Sequence, residues 1–260
     1  MDIGTYVATS SGVLQMRKLE VQNNNLANIN TVGFKGQYVV AETQDFDKTM
    51  ASALDGEVAE EARNDQARTP NVVGVRTRID FSQGAIQRTG NPLDVALRNA
   101  KDFFVVSTPQ GDQYTRAGNF TLSATGELVT PDGYRVQGEG GVIAAAAPGV
   151  EILPNGAVRS GPNAAGGVPN IVGRLRVVRI EDPSKLQAVE GARFKGTGVQ
   201  AAQVDALLEP QSLEMSNVSA ITGMVDLIST NRAFEAYTKA AQSLDGMNQI
   251  AVTQVGRRQQ

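Results

Sequence analysis

The side chains able to do chemistry in this sequence are carboxylates, amines, guanidinium groups and hydroxyls, because its 260 residues include no His and no Cys. That removes Ser-His-Asp triads, thiolate nucleophiles, His or thiolate metal sites, and disulfides. Asp45 with Asp47, and Glu57 with Glu60 and Glu61, bring carboxylates close in sequence, but neither group has the spacing of a calcium-binding loop. A solvated acidic face is the plainer reading. Asp80, Asp94, Glu127 and Asp132 are the central carboxylates that a hydrolase acting on cell-wall sugars would need to converge in a cleft, and none lies in a motif. Gly138-Glu139-Gly140-Gly141 is glycine-rich, but no helix pattern and no Gly-Lys-Ser/Thr follows, so a loop between strands is expected in place of a phosphate cradle. Arg174, Arg176 and Arg179 cluster on one predicted strand, with Arg193 and Lys195 downstream. Without interleaved aromatics they suit carboxylates, within the chain or on another protomer, better than bases. No catalytic residue, metal site or cofactor is assigned.

Composition narrows the choice further. A net charge of −3 and a pI near 5.2 disfavour general nucleic-acid binding, which needs a basic surface to neutralise phosphates. The longest purely apolar run, Val142–Pro148, is far shorter than a membrane span. The N-terminal Met1-Asp2-Ile3-Gly4 shows no basic region followed by an apolar one, so no cleavable signal peptide is expected.

The elements that must position these groups differ between the ends and the middle. Val7, Leu14 and Val21 are spaced by seven and share one face of a predicted N-terminal helix, although Ser10, Arg17 and Asn24 dilute the stripe. At the other end, Ile221, Val225 and Ile228 open a face that Tyr237, Ala240, Leu244, Met247 and Ala251 continue in steps of three and four, with Ser216 or Asn217 as a candidate N-cap. Between them, turn signals such as Gly90-Asn91-Pro92, Pro131-Asp132-Gly133 and Pro154-Asn155-Gly156 separate short apolar runs, which reads as antiparallel β structure. In residues 172–180, Arg174 and Arg176 alternate with Leu175 and Val177, and the phase then slips, with Val178 and Ile180 flanking Arg179, which predicts a bulge. Residues 42–65 carry eight acids against Lys48 and Arg63, a local charge of −6, and are expected to be mobile in the monomer.

Five carboxamides, Asn23, Asn24, Asn25, Asn28 and Asn30, precede Thr31-Val32-Gly33-Phe34-Lys35. A helix C-terminus explains one or two of them, and the remainder suit polar contacts in an assembly. Asn24 through Lys35 resembles the N-terminal signature of the bacterial flagellar rod and hook proteins. Thr89-Gly90-Asn91-Pro92-Leu93-Asp94-Val95-Ala96-Leu97, Tyr114-Thr115-Arg116-Ala117-Gly118-Asn119-Phe120 and Leu213-Glu214-Met215-Ser216-Asn217-Val218 are similar to further motifs of that family, in the same order. Within it, the Met1-Asp2 start and Val172-Gly173-Arg174-Leu175 are most similar to the proximal-rod member.

The resemblance implies a structural axial subunit that other rod proteins and further copies join in a helical assembly. It also implies delivery by the flagellar type III export apparatus to the periplasm-spanning rod. The expected fold is α+β: long N- and C-terminal helices form a coiled-coil-like core domain, with a central, mainly antiparallel β domain. Residues 1–35 with 212–260 are assigned to the core, 36–75 to an acidic connector and 76–211 to the outer domain. The expected assembly interface is Val7, Leu14, Val21, Asn24, Asn25, Asn28, Ile221, Val225, Ile228, Tyr237, Leu244 and Met247. The alternatives are a distal-rod or hook protein of the same family, the carboxylate-dependent hydrolase, and a trimeric coiled-coil adhesin.

Overall fold

The computed structural model describes residues 3–44, 72–145, 149–161, 170–196 and 199–257. Most of the acidic run, including Asp45, Asp47, Glu57, Glu60 and Glu61, lies outside them. The chain divides into two units, one of residues 1–24, 37–78 and 221–260, the other of 25–36 and 79–220.

The first unit holds the two long helices, α1 (Ile3–Ala27) and α2 (Ala220–Arg257), less their ends at 25–27 and 220, and the strands Gln37–Gln44 and Val72–Ile79, less Ile79. The expected α+β architecture with a coiled-coil-like core is overturned. The chain is mostly β, 39% strand against 24% helix, and no coiled coil is evident among the described residues. The physical reason is visible on the helices themselves. Ile221, Val225, Ile228 and Met247 are 77%, 60%, 52% and 56% exposed, as are large parts of Val13 and Met16, so no seam closes over the apolar stripes. A stripe this thin leaves too little apolar area to hold two helices together inside one chain.

The second unit is built on the strand Asp102–Thr108. It pairs antiparallel with Gly111–Thr115 along one edge, and along the other with Val177–Ile180 and then Arg135–Gly138. Successive side chains of a strand point to opposite faces. Phe104 and Val106 therefore enter one core with Phe120, Leu128, Val136, Ile143, Val158, Leu175 and Val177. Phe103 and Val105 enter a second with Val178, Ile180, Leu186 and Phe194. Burial on both faces explains why this strand reads as a continuous apolar run. Phe81, Phe103 and Phe194 pack edge to face with ring centroids 5.2 to 6.0 Å apart, the arrangement that the ring quadrupole favours.

The bulge predicted after Val177 is absent: Val177 and Val178 lie on one regular strand, and both are apolar because they enter the two different cores. The break in the chain comes earlier. Asn170–Arg174 belongs to a three-stranded sheet with Glu151–Ile152 and Ala157–Ser160, whereas Val177–Ile180 has crossed into the large sheet. The glycine-rich loop is the tip of a hairpin joining Arg135–Gly138 to Gly141–Val142, with Gly138 opposite Gly141. Near its end the chain returns. Leu208–Pro210 pairs with Val95–Leu97, and Ser212–Glu214 pairs with Ile86–Arg88.

Candidate functional site: a buried charge clasp

Three motifs singled out in the sequence meet at one point of the second unit. The first is the loop after α1. Thr31 donates to the Asn28 side chain at 3.1 Å, and Phe34 N–H to the Thr31 carbonyl at 3.3 Å, which turns the chain back at Gly33. Gly33 has φ +69°, and a Cβ there would lie 2.3 Å from Ala117 N and 2.6 Å from Arg116 C. Only glycine meets both the left-handed backbone and that close approach. Its N–H donates to the Glu214 carbonyl at 2.8 Å. The second motif brings Arg116, and the third brings Glu214 on the strand Ser212–Glu214.

The side chains of Lys35, Arg116 and Glu214 are all completely buried. Lys35 Nζ donates to Glu214 Oε1 at 2.6 Å and to the Ser82 carbonyl at 2.5 Å. Arg116 Nε donates to Glu214 Oε2 at 2.7 Å, and its Nη1 reaches the carbonyls of Asn99, Ala100 and Asp102 at 2.9, 3.0 and 2.6 Å. Gly84 N–H also donates to Glu214 Oε1, at 3.0 Å. Two cations thus share one carboxylate, and backbone carbonyl dipoles take up the excess positive charge. Burial pushes the Lys35 ammonium below its ordinary value. Glu214 opposes that shift, while the neighbouring Arg116 charge adds to it.

Asn217 completes the clasp. Its Oδ1 accepts from Gly36 N–H at 2.8 Å, and its Nδ2 donates to the Asp80 carbonyl at 2.9 Å. The expected capping role at α2 gives way to this bridge, and the helix begins at Ala220.

The sequence singled out every motif in this clasp but not the clasp itself. The signal was there: Lys35, Arg116 and Glu214 are the only charged residues in their respective motifs.

The hydrolase candidates do not converge. Asp94 accepts from Thr89 and Asn91 inside its own turn, and Asp80 accepts from Ser82 two residues on. Glu127 pairs with Arg135 at 2.8 Å, and Asp132 lies 3.7 Å from Arg193. An open groove lined by Ser107, Thr108, Ser123, Glu127, Tyr134 and Arg135 holds one carboxylate, not the pair that glycoside hydrolysis uses.

The arginine cluster has partners within the chain. Arg174 reaches Glu139, Arg176 reaches Gln137 and Asp112, and Arg179 makes a two-pronged bond to Asp102 at 2.7 and 3.1 Å. Among the described residues no group of three His, Cys, Asp or Glu is placed to hold a metal, and no helix is long and apolar enough to cross a membrane.

Of the expected interface, Val21 is buried and Leu14 half-buried, whereas Asn24, Ile221, Val225, Ile228, Tyr237 and Met247 are exposed. Asn25, in the last turn of α1, and Asn28, in the turn that follows, are half-buried, and the side chains of Val7 and Leu244 lie outside the described set.

The clasp is sealed from solvent and its charges bind one another, so its chemistry is that of holding segments of the second unit together. Residues 6–35 match the family described as Flagella basal body rod protein, 99–160 the Flagellar hook protein FlgE/F/G D1 domain, and 209–254 the Flagellar basal body rod FlgEFG protein C-terminal. The chain is 30% identical to the flagellar basal-body rod protein FlgF of Caulobacter vibrioides, over 99% of both chains. It is 31% identical to the FlgG protein of the same organism, over 93% of this chain and 95% of that one, and 30% identical to the FlgF of Salmonella typhimurium, over 94% and 95%. The chain belongs to the flagellar basal-body rod protein family.

Proposed function

We propose that this chain is a structural subunit of the flagellar basal-body rod, polymerising helically through its terminal helices to transmit torque across the periplasm. The observation that carries this reading is the apolar face at the start of α2. Ile221, Met224, Val225 and Ile228 follow the i, i+3, i+4, i+7 pattern of a single helix face, and each is more than half exposed. Covering a side chain of this kind contributes roughly 1.5 to 3 kcal/mol when burial is complete, so the face favours association with neighbouring subunits.

A heterologous contact whose rotation does not close builds a filament in place of a ring. In this reading Val7, Leu14, Val21, Tyr237, Leu244 and Met247 extend the apolar contact. Asn24, Asn25 and Asn28 supply polar register, residues 36–75 connect, and residues 76–211 form the outer part. The partners are other rod proteins and further copies, and the flagellar type III export apparatus delivers the chain. The end-to-end match to an FlgF protein supports a proximal position, and a distal position is the alternative.

Val225→Asp tests the reading. The substitution is at an exposed site, so urea unfolding should change by no more than ~0.5 kcal/mol. The variant should nevertheless be missing from isolated basal bodies. Normal incorporation would contradict the proposal.

A further inference from the structure

The clasp joins segments that are 98 and 179 residues apart, and it takes in both stretches from which the long helices extend. The loop at 31–36 follows α1, and residues 214–217 precede α2. We infer that the clasp is a two-ended lock, in which the loop after α1 and the segment before α2 are held by the β unit together or not at all. Its use in positioning helices for a rod rests on the reading above; the lock itself does not.

The argument is one of shared partners. Among the described residues, Glu214 is the one carboxylate hydrogen-bonded to Lys35 and Arg116, and its backbone carbonyl also holds Gly33. If residues 212–217 undock, Lys35 and Arg116 lose their counter-charge, Gly33 N–H loses its acceptor and Gly36 N–H loses Asn217. If the 31–36 loop undocks, Glu214 retains Arg116 but loses Lys35, and Asn217 loses Gly36. Each end removes a bonding partner from a buried group of the other: loss of 212–217 leaves two buried cations unpaired, which is strongly unfavourable, and loss of the 31–36 loop leaves Glu214 Oε1 without one of its donors, a smaller desolvation cost. A merely local structure would lack this reciprocity. The Asp80 amide, bonded to the Gly36 carbonyl at 2.8 Å, and the Met215 amide, bonded to Ala85, report on the two sides.

The test is hydrogen exchange by mass spectrometry on the full chain, with Glu214→Gln and Lys35→Met each compared with wild type. In Glu214→Gln one carboxylate oxygen becomes an NH2 group that faces a cation. Peptides covering 31–36 should then exchange on the order of a hundredfold faster, as expected when a buried ion pair is broken. Lys35→Met should speed exchange in the other direction, at 212–217 and at Gly84. A core variant of matching melting temperature, Ile180→Ala or Ile180→Val, should leave both segments at their wild-type ratio to the rest of the β unit. Exchange changes confined to the substituted end, or equal changes in the core variant, would overturn the lock. If Glu214→Gln does not fold, Lys35→Met alone decides, because it leaves Glu214 and Arg116 as a neutral pair. Whether the variants enter basal bodies is a separate reading, and its outcome bears on the rod assignment alone.

Discussion

Gly33→Ala isolates the geometry that brings the N-terminal motif onto the β unit. An L-residue at φ +69° carries a left-handed penalty of about 1 to 2 kcal/mol. The new methyl would also stand 2.3 Å from Ala117 N and 2.6 Å from Arg116 C. These are backbone atoms and cannot swing aside, so an overpacking penalty of about 1 to 3 kcal/mol is added. Lower entropy in the unfolded chain returns about 0.4 to 1 kcal/mol. The net expectation is a loss of roughly 1 to 5 kcal/mol, centred near 3. Gly90→Ala is the control, because Gly90 has φ +78° with nothing within 4 Å of the added Cβ. It should lose only ~1 kcal/mol, from backbone strain. Urea unfolding followed by far-UV circular dichroism, with the slope unchanged, measures both variants. Equal losses would show that the approach of the Gly33 loop to residues 116–117 is not a constraint, and would refute the reasoning.

Three further outcomes follow from the same structure. Phe104→Ala, which empties a fully buried position between Phe120 and the strands around it, should lose about 3 to 5 kcal/mol, and a loss under ~1 kcal/mol in urea unfolding would contradict the core assignment. Arg179→Met leaves the 1%-exposed Asp102 side chain without its partner and should lower the melting temperature, whereas Arg174→Met, at a 4.0 Å exposed pair, should not; the reverse order in calorimetry would refute the distinction. Between the lowered folded value of Lys35 and 10.5, the unfolded chain binds a proton that the folded chain does not. This group's contribution to stability therefore rises with pH in that window, and below it the burial penalty is present in full. The stability difference between wild type and Lys35→Met should shift in favour of wild type as pH rises toward 10.5, and a flat or opposite trend in paired urea titrations would contradict it.

The β unit was legible in the sequence where local chemistry decides the outcome. Gly90-Asn91-Pro92 and Pro131-Asp132-Gly133 mark turns because glycine and Asx residues make them, and the strands Asp102–Thr108 and Arg135–Gly138 fall where the apolar runs do. The lost alternation after Val177 was visible, but its cause is a strand buried on both faces, and the change of sheet before Val177 depends on pairing with distant strands. The coiled coil failed for a related reason: a periodic stripe shows that a helix has an apolar face, not what covers it. Lys35, Arg116 and Glu214 each stood out within a motif, but nothing local reports that charges 98 and 179 residues apart are buried against one another. Of the five asparagines in eight positions, a helix C-terminus explains one or two, and Asn28 accepts from Thr31 within the loop there.

The rod assignment is tested most directly by deleting the gene, isolating basal bodies and imaging them by electron microscopy, with a tagged copy supplied for rescue. The account predicts basal bodies whose rods are incomplete, non-motile cells, and a tag located within the rod once the gene is restored. Complete rods on swimming cells would contradict it.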